Sequence, residues 1–227
     1  MKNFTSLVKE SFKIYGEKKT IWPILLICLI GLWAISLIAG FLPNVESTQL
    51  ILFSALALII GYLIAVFLTL ILIVSITKPS GTQLKDILKE AWLKLGQGLG
   101  VFILTMLFVG LGTLLFIIPG IIIAIFLCFS LYICVLESKG GMDALKASWN
   151  LVEGNWWNVF GRSFLLGIIF SAIYFLFIAI SASGILPLIF QVLCVPFNII
   201  YMYLIYLDLK KIAENKVQSE PLTSTNE

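Results

Sequence analysis

The chain has 227 residues, of which 60% are hydrophobic and 12% are charged, and its mean hydropathy is +1.08. Soluble proteins carry about 45–50% apolar and about 25% charged residues, so a water-soluble fold cannot bury this much apolar surface. The net charge of +3 does not favour a nucleic-acid partner, because the basic residues lie beside the apolar segments. The composition therefore predicts an integral membrane protein.

Six apolar segments are long enough to cross a bilayer as helices, which takes about 20 residues. They are residues 21–41, 50–76, 98–119, 120–136, 159–180 and 185–207. Helices are favoured over barrel strands because the segments do not alternate between polar and apolar residues. We expect a tight turn at Pro119-Gly120 and a kink at Pro196, since proline interrupts the helical hydrogen bonds.

The predicted fold class is an all-α integral membrane protein with six transmembrane helices. They form a single transmembrane domain over residues 1–211, followed by a disordered cytoplasmic tail over residues 212–227, which is polar and lacks aromatic residues. All fifteen Lys and Arg residues fall on one side of the predicted spans, which the positive-inside rule makes cytoplasmic. We therefore predict a bacterial cytoplasmic membrane protein with both termini in the cytoplasm.

Three amphipathic helices are predicted on the cytoplasmic face, each ahead of two spans. The apolar face of residues 84–96 recurs near the N-terminus and again around residues 144–152. Its members in the three places are Leu84, Ile87, Leu88, Ala91, Trp92 and Leu95; Phe4, Leu7, Val8, Ser11, Phe12 and Tyr15; and Ala144, Leu145, Ser148, Trp149 and Val152. The recurrence fits a pseudo-threefold repeat, but unrelated helices at a membrane surface would share the same pattern.

Residues for catalysis and metal binding are scarce. The chain has no histidine, which removes the commonest general base and the commonest metal ligand. The four cysteines lie in apolar segments without a C-x-x-C pair, so we expect them to be buried small hydrophobic residues. No catalytic residue, cofactor site or metal site is predicted, and we expect the protein not to be an enzyme.

Two groups of polar residues are candidate sites. Charged residues at the cytoplasmic ends of the spans either form ion pairs that lock the fourth-to-fifth connection or bind a head group or partner: Glu137, Asp143, Lys146, Glu153, Arg162 and Asp208. Gln191 and Asn198 flank Pro196 inside the membrane, where we favour hydrogen bonds between helices over a polar site. The candidate structural or interaction residues are Glu137, Ser148, Trp149, Arg162, Asp208, Gln191 and Asn198.

Several short motifs resemble those of a bacterial membrane-protein family. The motifs are Ile118-Pro119-Gly120, Glu137, Ala144-Leu145-x-x-Ser148-Trp149, Trp157-x-Val159-Phe160-Gly161 and the closing Tyr206-Leu207-Asp208-Leu209-Lys210. They are similar to motifs in the membrane domain attached to some glycerophosphodiester phosphodiesterases and in its six-span stand-alone relatives. In those enzymes the chemistry belongs to a separate domain that uses histidine and carboxylates. The resemblance therefore implies a membrane fold and no transferable catalytic residue.

The leading functional expectation is a non-catalytic scaffold or accessory protein of the bacterial cell envelope. Its expected partners are membrane lipid and another membrane protein. The alternative is a transporter or lipid-handling protein with a cavity along the repeat axis, near Gln191 and Asn198.

Overall fold

The computed structural model describes residues 2–25, 47–79, 81–180 and 185–219, and within these ranges the side chains of residues 47–60, 62, 217 and 219 are excluded. Over the described ranges the secondary structure is helical, without strands. The helices are α1 Phe4–Glu17, α2 Ser47–Thr77, α3 Leu84–Leu115, α4 Ile117–Leu127, α5 Ser130–Glu137, α6 Gly141–Val152, α7 Trp156–Ile180 and α8 Ile185–Ser219. Residues 21–25 are also helical.

Four helical stretches are long and apolar enough to cross a membrane. They are Leu84–Leu115, Ile117–Glu137, Trp156–Ile180 and Ile185–Lys216, which correspond to predicted spans three to six. The predicted all-α class is confirmed over the described residues, with four helices of membrane-spanning length. Helix α2 covers the second predicted span, and its described apolar part is Leu63–Thr77. Most of the first predicted span and the connection at residues 181–184 lie outside the described residues.

The turn between the third and fourth predicted spans lies at Phe116, earlier than the expected turn at Pro119-Gly120. Phe116 has an extended backbone with φ −161° and ψ 151°, and α4 begins at the next residue. Pro119 lies in the first turn of α4, where its missing N–H removes no helical hydrogen bond. A Cβ on Gly120 would lie 2.8 Å from the Cα atom of Thr113, so a glycine is needed where α3 and α4 approach most closely.

The fourth predicted span is interrupted and not continuous. Helix α4 ends at Leu127 and α5 begins at Ser130, without a proline or glycine between them. A helix can break where a side chain from elsewhere enters its ladder of hydrogen bonds. Helix α6, which follows α5, packs against both α4 and α5 and supplies that side chain.

The three predicted amphipathic segments are helical, and each buries part of the expected face, while Phe12, Trp92 and Trp149 on that face are exposed. The fully or almost fully buried members are Leu7 and Ser11 on α1, Ile87 and Ala91 at the start of α3, and Ala144, Leu145, Ser148 and Val152 on α6. Helix α1 packs along α8, α3 packs against α2 and α4, and α6 packs against α3, α4 and α5. The segments therefore pack onto the apolar helices as well as presenting a polar face.

Helix α8 continues well past the predicted end of the transmembrane domain at residue 211. It runs without interruption from Ile185 to Ser219, with Pro196 inside it. Its last turns contain Lys, Ala and Glu, which are good helix formers even where no apolar face is buried. The helix thus occupies the first part of the segment for which we expected disorder, and residues 220–227 lie outside the described residues.

Candidate functional site

The side chain of Ser148 closes the break between α4 and α5. Its hydroxyl donates to the carbonyl of Phe126 at 2.7 Å and accepts from the backbone N–H of Phe129 at 3.2 Å. In a continuous helix these two backbone groups would bond to residues one turn away. Ser148 is fully buried, so its hydroxyl replaces hydrogen bonds that neither water nor lipid can supply there.

Aromatic rings hold α6 and the start of α7 against α4. Trp149 stacks on Phe126 with ring centroids 4.0 Å apart and an interplanar angle of 12°. The indole N–H of Trp156 donates to the carbonyl of Ile122 at 3.4 Å. Ser148, Trp149 and Trp156 therefore all contact the short helix α4.

Glu137 is the centre of one polar cluster at the end of α5. Its carboxylate accepts from the hydroxyl of Tyr206 at 2.8 Å, from Lys210 at 3.0 Å and from Lys139 at 2.9 Å. Tyr206 is almost fully buried, with 1% exposed. Three donors therefore hold this carboxylate and fix the end of α5 to α8.

Asp208 and Arg162 form a second cluster that includes the beginning of the chain. Arg162 bonds to the Asp208 carboxylate at 3.1 Å, and both side chains are about nine-tenths buried. The same carboxylate accepts from the backbone N–H of Lys2 at 3.0 Å, while Arg162 donates to the carbonyl of Lys2 at 2.6 Å. The ion pair thus binds both backbone groups of Lys2 and joins the N-terminal segment, α7 and α8.

A third tie connects the end of α1 to the end of α2. The ammonium of Lys18 donates to the carbonyl of Lys78, and the hydroxyls of Thr20 and Ser75 lie 2.8 Å apart. Partial burial lowers the pKa of Lys18, because the charged ammonium loses solvation there.

The predicted charged residues divide into two clusters, and three of the six join neither. Asp143, Lys146 and Glu153 are exposed on or beside α6, with no ion pair among the described residues. The structure adds Tyr206 and Lys210, which the sequence analysis did not select as site residues. Tyr206 and Lys210 are four residues apart, and residues at this spacing share one face of a helix. That spacing was the signal in the sequence that could have identified them as a pair.

Gln191 and Asn198 line one cleft between α2, α7 and α8. The cleft has a volume of about 640 Å³. Its polar lining comes from Thr69, Ser171, Tyr174, Gln191, Cys194 and Asn198, and its apolar lining comes from Phe170, Phe175, Phe190, Val195 and Ile199. Gln191 and Asn198 are two helical turns apart, which places them on the same side of α8.

Neither amide in this cleft has a hydrogen-bond partner in the part of the chain that is described. Both side chains are exposed, so the expected hydrogen bonds between helices are not found in these ranges. Pro196 lies between them and cannot donate to the carbonyl of Val192, which leaves a further acceptor on this part of α8. The cleft therefore offers hydrogen-bonding groups within an apolar, aromatic wall.

No group of three or more His, Cys, Asp or Glu residues able to hold a metal ion occurs within the described ranges. The cleft lining, where described, contains no carboxylate, ammonium or guanidinium group. Its hydroxyls, amides and thiol have no base among the lining residues that would activate a nucleophile. The arrangement suits reversible binding of an uncharged molecule.

Comparison with known proteins identifies one family. The family described as "Domain of unknown function (DUF7847)" matches residues 47–198. The matched region includes Ser148 and the cleft residues Gln191 and Asn198, and it ends before Asp208. No curated protein and no solved structure matches the chain.

Proposed function

The chain belongs to the DUF7847 family of domains of unknown function, and we propose that it is a non-catalytic integral membrane protein that binds a lipid-like molecule. The cleft between α2, α7 and α8 carries this proposal. The amides of Gln191 and Asn198, which have no hydrogen-bond partner among the described residues, lie there among aromatic side chains. This lining favours the lipid-handling role, which the sequence alone ranked second.

The proposed setting is a bacterial cytoplasmic membrane. Four helices of spanning length support insertion in a bilayer. The one-sided distribution of Lys and Arg supports six spans with both termini in the cytoplasm. A pseudo-threefold arrangement of three amphipathic helices, each followed by two spans, is part of the same proposal.

The chemistry of the cleft limits the ligand to a molecule with an uncharged polar group and an apolar body. Amides and hydroxyls bond to carbonyl and hydroxyl groups, while a charged group would lie without a counter-ion among the described lining residues. A volume of about 640 Å³ falls within the usual range for small-molecule sites. The ligand we propose is a neutral membrane lipid or a molecule that resembles one.

A scaffold or accessory role is the second candidate, and a hollow between α4 and α7 favours it. The hollow is about 480 Å³ and is lined by Ile118, Ile121, Ile122, Trp156, Trp157 and Phe160. Such an aromatic recess fits the apolar side chains of another membrane protein's span. The suggested relationship to the membrane domain of glycerophosphodiester phosphodiesterases is compatible with either role, because it transfers no catalytic residue.

The test is purification in native lipid discs followed by mass spectrometry of bound lipids and proteins. We compare the wild type with the double variant Gln191→Leu/Asn198→Leu, which removes both amides from the cleft. The matched control is Gln97→Leu/Asn150→Leu, which makes the same chemical changes at exposed positions outside it.

The expected result is a neutral lipid bound to the wild type and the control but lost from the cleft variant. An identical lipid complement in all three proteins would contradict the proposal. A stoichiometric protein partner without a retained lipid would favour the scaffold role.

A further inference from the structure

Each of the three amphipathic segments presents an exposed lysine one turn before an exposed aromatic ring. The pairs are Lys9 with Phe12, Lys89 with Trp92, and Lys146 with Trp149. Residues three apart in a helix are neighbours on its surface, so each lysine and its ring project from adjacent positions. The rings are exposed by 64%, 67% and 40%, respectively, which leaves a face of each available for contact.

Packing against a phenylalanine of another helix fixes each ring in place. Ring-centroid distances are 4.7 Å for Phe12 to Phe197, 5.8 Å for Trp92 to Phe67, and 4.0 Å for Trp149 to Phe126. These three phenylalanines lie on α8, α2 and α4. Three different helices therefore hold the three rings in place.

The acidic residues next to two of these lysines are already paired with other cations. Glu10 bonds to Lys2 at 2.5 Å, and Glu90 bonds to Lys78 at 2.7 Å. Lys9, Lys89 and Lys146 have no ion pair among the described residues. Asp143, one turn before Lys146, forms none either. No carboxylate among the described residues therefore forms an ion pair with any of the three ammonium groups.

We propose that the three lysine–aromatic pairs bind the phosphate groups of anionic membrane phospholipids. An ammonium group donates hydrogen bonds to a phosphate oxygen, and an aromatic ring beside it favours the boundary between head groups and acyl chains. A free phosphate ion would use the lysine alone, whereas a phospholipid also contacts the ring. The three lysine–aromatic pairs lie outside the cleft. This proposal therefore does not depend on the ligand proposed for the cleft.

The test uses spin-labelled phosphatidylglycerol and phosphatidylcholine with protein reconstituted in phosphatidylcholine vesicles. The variant Lys9→Gln/Lys89→Gln/Lys146→Gln removes the three proposed contacts. The control Lys13→Gln/Lys85→Gln/Lys211→Gln removes the same number of charges from exposed lysines that no aromatic residue follows one turn later. All six positions are exposed, so both variants should fold, which circular dichroism and thermal unfolding verify.

We expect the wild type and the control to associate preferentially with the labelled phosphatidylglycerol, and the first variant to lose this preference. A juxtamembrane lysine contributes about a five-fold preference for an anionic lipid, and salt weakens the interaction. Equal losses in both variants, or no loss in either, would overturn the proposal. Complete displacement of the labelled lipid by inorganic phosphate at the same concentration would also overturn it, because the aromatic contact would then contribute nothing.

Discussion

The hydroxyl of Ser148 lies 2.7 Å from the carbonyl oxygen of Phe126, at the point where the fourth predicted span breaks. The two residues belong to different helices, so a single hydrogen bond ties α6 to the end of α4. The same hydroxyl accepts the N–H of Phe129 on the other side of the break. The broken span is therefore completed by a residue that follows it in sequence.

Replacing Ser148 with alanine should destabilise the protein by about 1–3 kcal/mol, because a buried N–H and a buried carbonyl lose their partner. The control is Ser11→Ala on α1. Ser11 is also fully buried, but the partner of its hydroxyl among the described residues is Leu7 of its own helix, at 2.8 Å. We expect Ser11→Ala to lose clearly less stability than Ser148→Ala. Thermal unfolding in detergent measures both, and equal losses would show that Ser148 does not support the break.

Removing one member of the Arg162–Asp208 pair should be costly. A buried charge left without its partner typically costs about 3–5 kcal/mol, and here the contacts to Lys2 are lost as well. We expect Asp208→Leu and Arg162→Met each to lower the unfolding temperature and to speed proteolysis near the N-terminus. The double variant should recover part of the stability, because it leaves no unpaired charge. If the double variant lost as much stability as the two single variants together, the two charges would not be a stabilising pair.

Gly120→Ala should destabilise the α3–α4 hairpin. The new Cβ would lie 2.8 Å from both Cα and N of Thr113, and this backbone cannot move aside without shifting a helix. Gly110→Ala, on the same hairpin, is the control because nothing lies within 4 Å of its added Cβ. It should be neutral or slightly stabilising, since alanine has the higher helix propensity. Thermal unfolding measures both variants. A smaller loss of stability for Gly120→Ala than for Gly110→Ala would refute the close approach of α3 to α4.

The thiol of Cys194 should report on occupancy of the cleft that it lines. In a variant whose other cysteines are replaced by alanine, we expect membrane-permeant N-ethylmaleimide to modify Cys194. Asn198→Trp should slow the modification, because an indole fills space on the neighbouring turn of the same face. Gln97→Trp, which is outside the cleft, should leave the rate unchanged. Mass spectrometry of the intact protein measures the rate, and equal rates in the two tryptophan variants would exclude an open cleft at Cys194.

The sequence predicted the helical class and the buried faces of the amphipathic segments because both depend on local periodicity. Leu7, Ile87 and Ala144 are each fully or almost fully buried, as the pattern required. It misplaced the α3–α4 turn because proline has no N–H to lose in the first turn of a helix, so Pro119 did not mark the boundary. Glu137, Arg162 and Asp208 were identified as polar residues at helix ends, but their pairing could not be read from spacing.

Composition and periodicity, which are properties of the chain alone, account for an apolar helical protein with lysines segregated to the connections on one side of the predicted spans. The position of the break in the fourth span depends on packing, because a hydroxyl from α6 takes over its backbone hydrogen bonds. In the tertiary structure, Gln191 and Asn198 also line a cleft, where the sequence favoured hydrogen bonds between helices. Both features depend on contacts between helices that are distant in sequence, and a local sequence pattern does not specify such contacts.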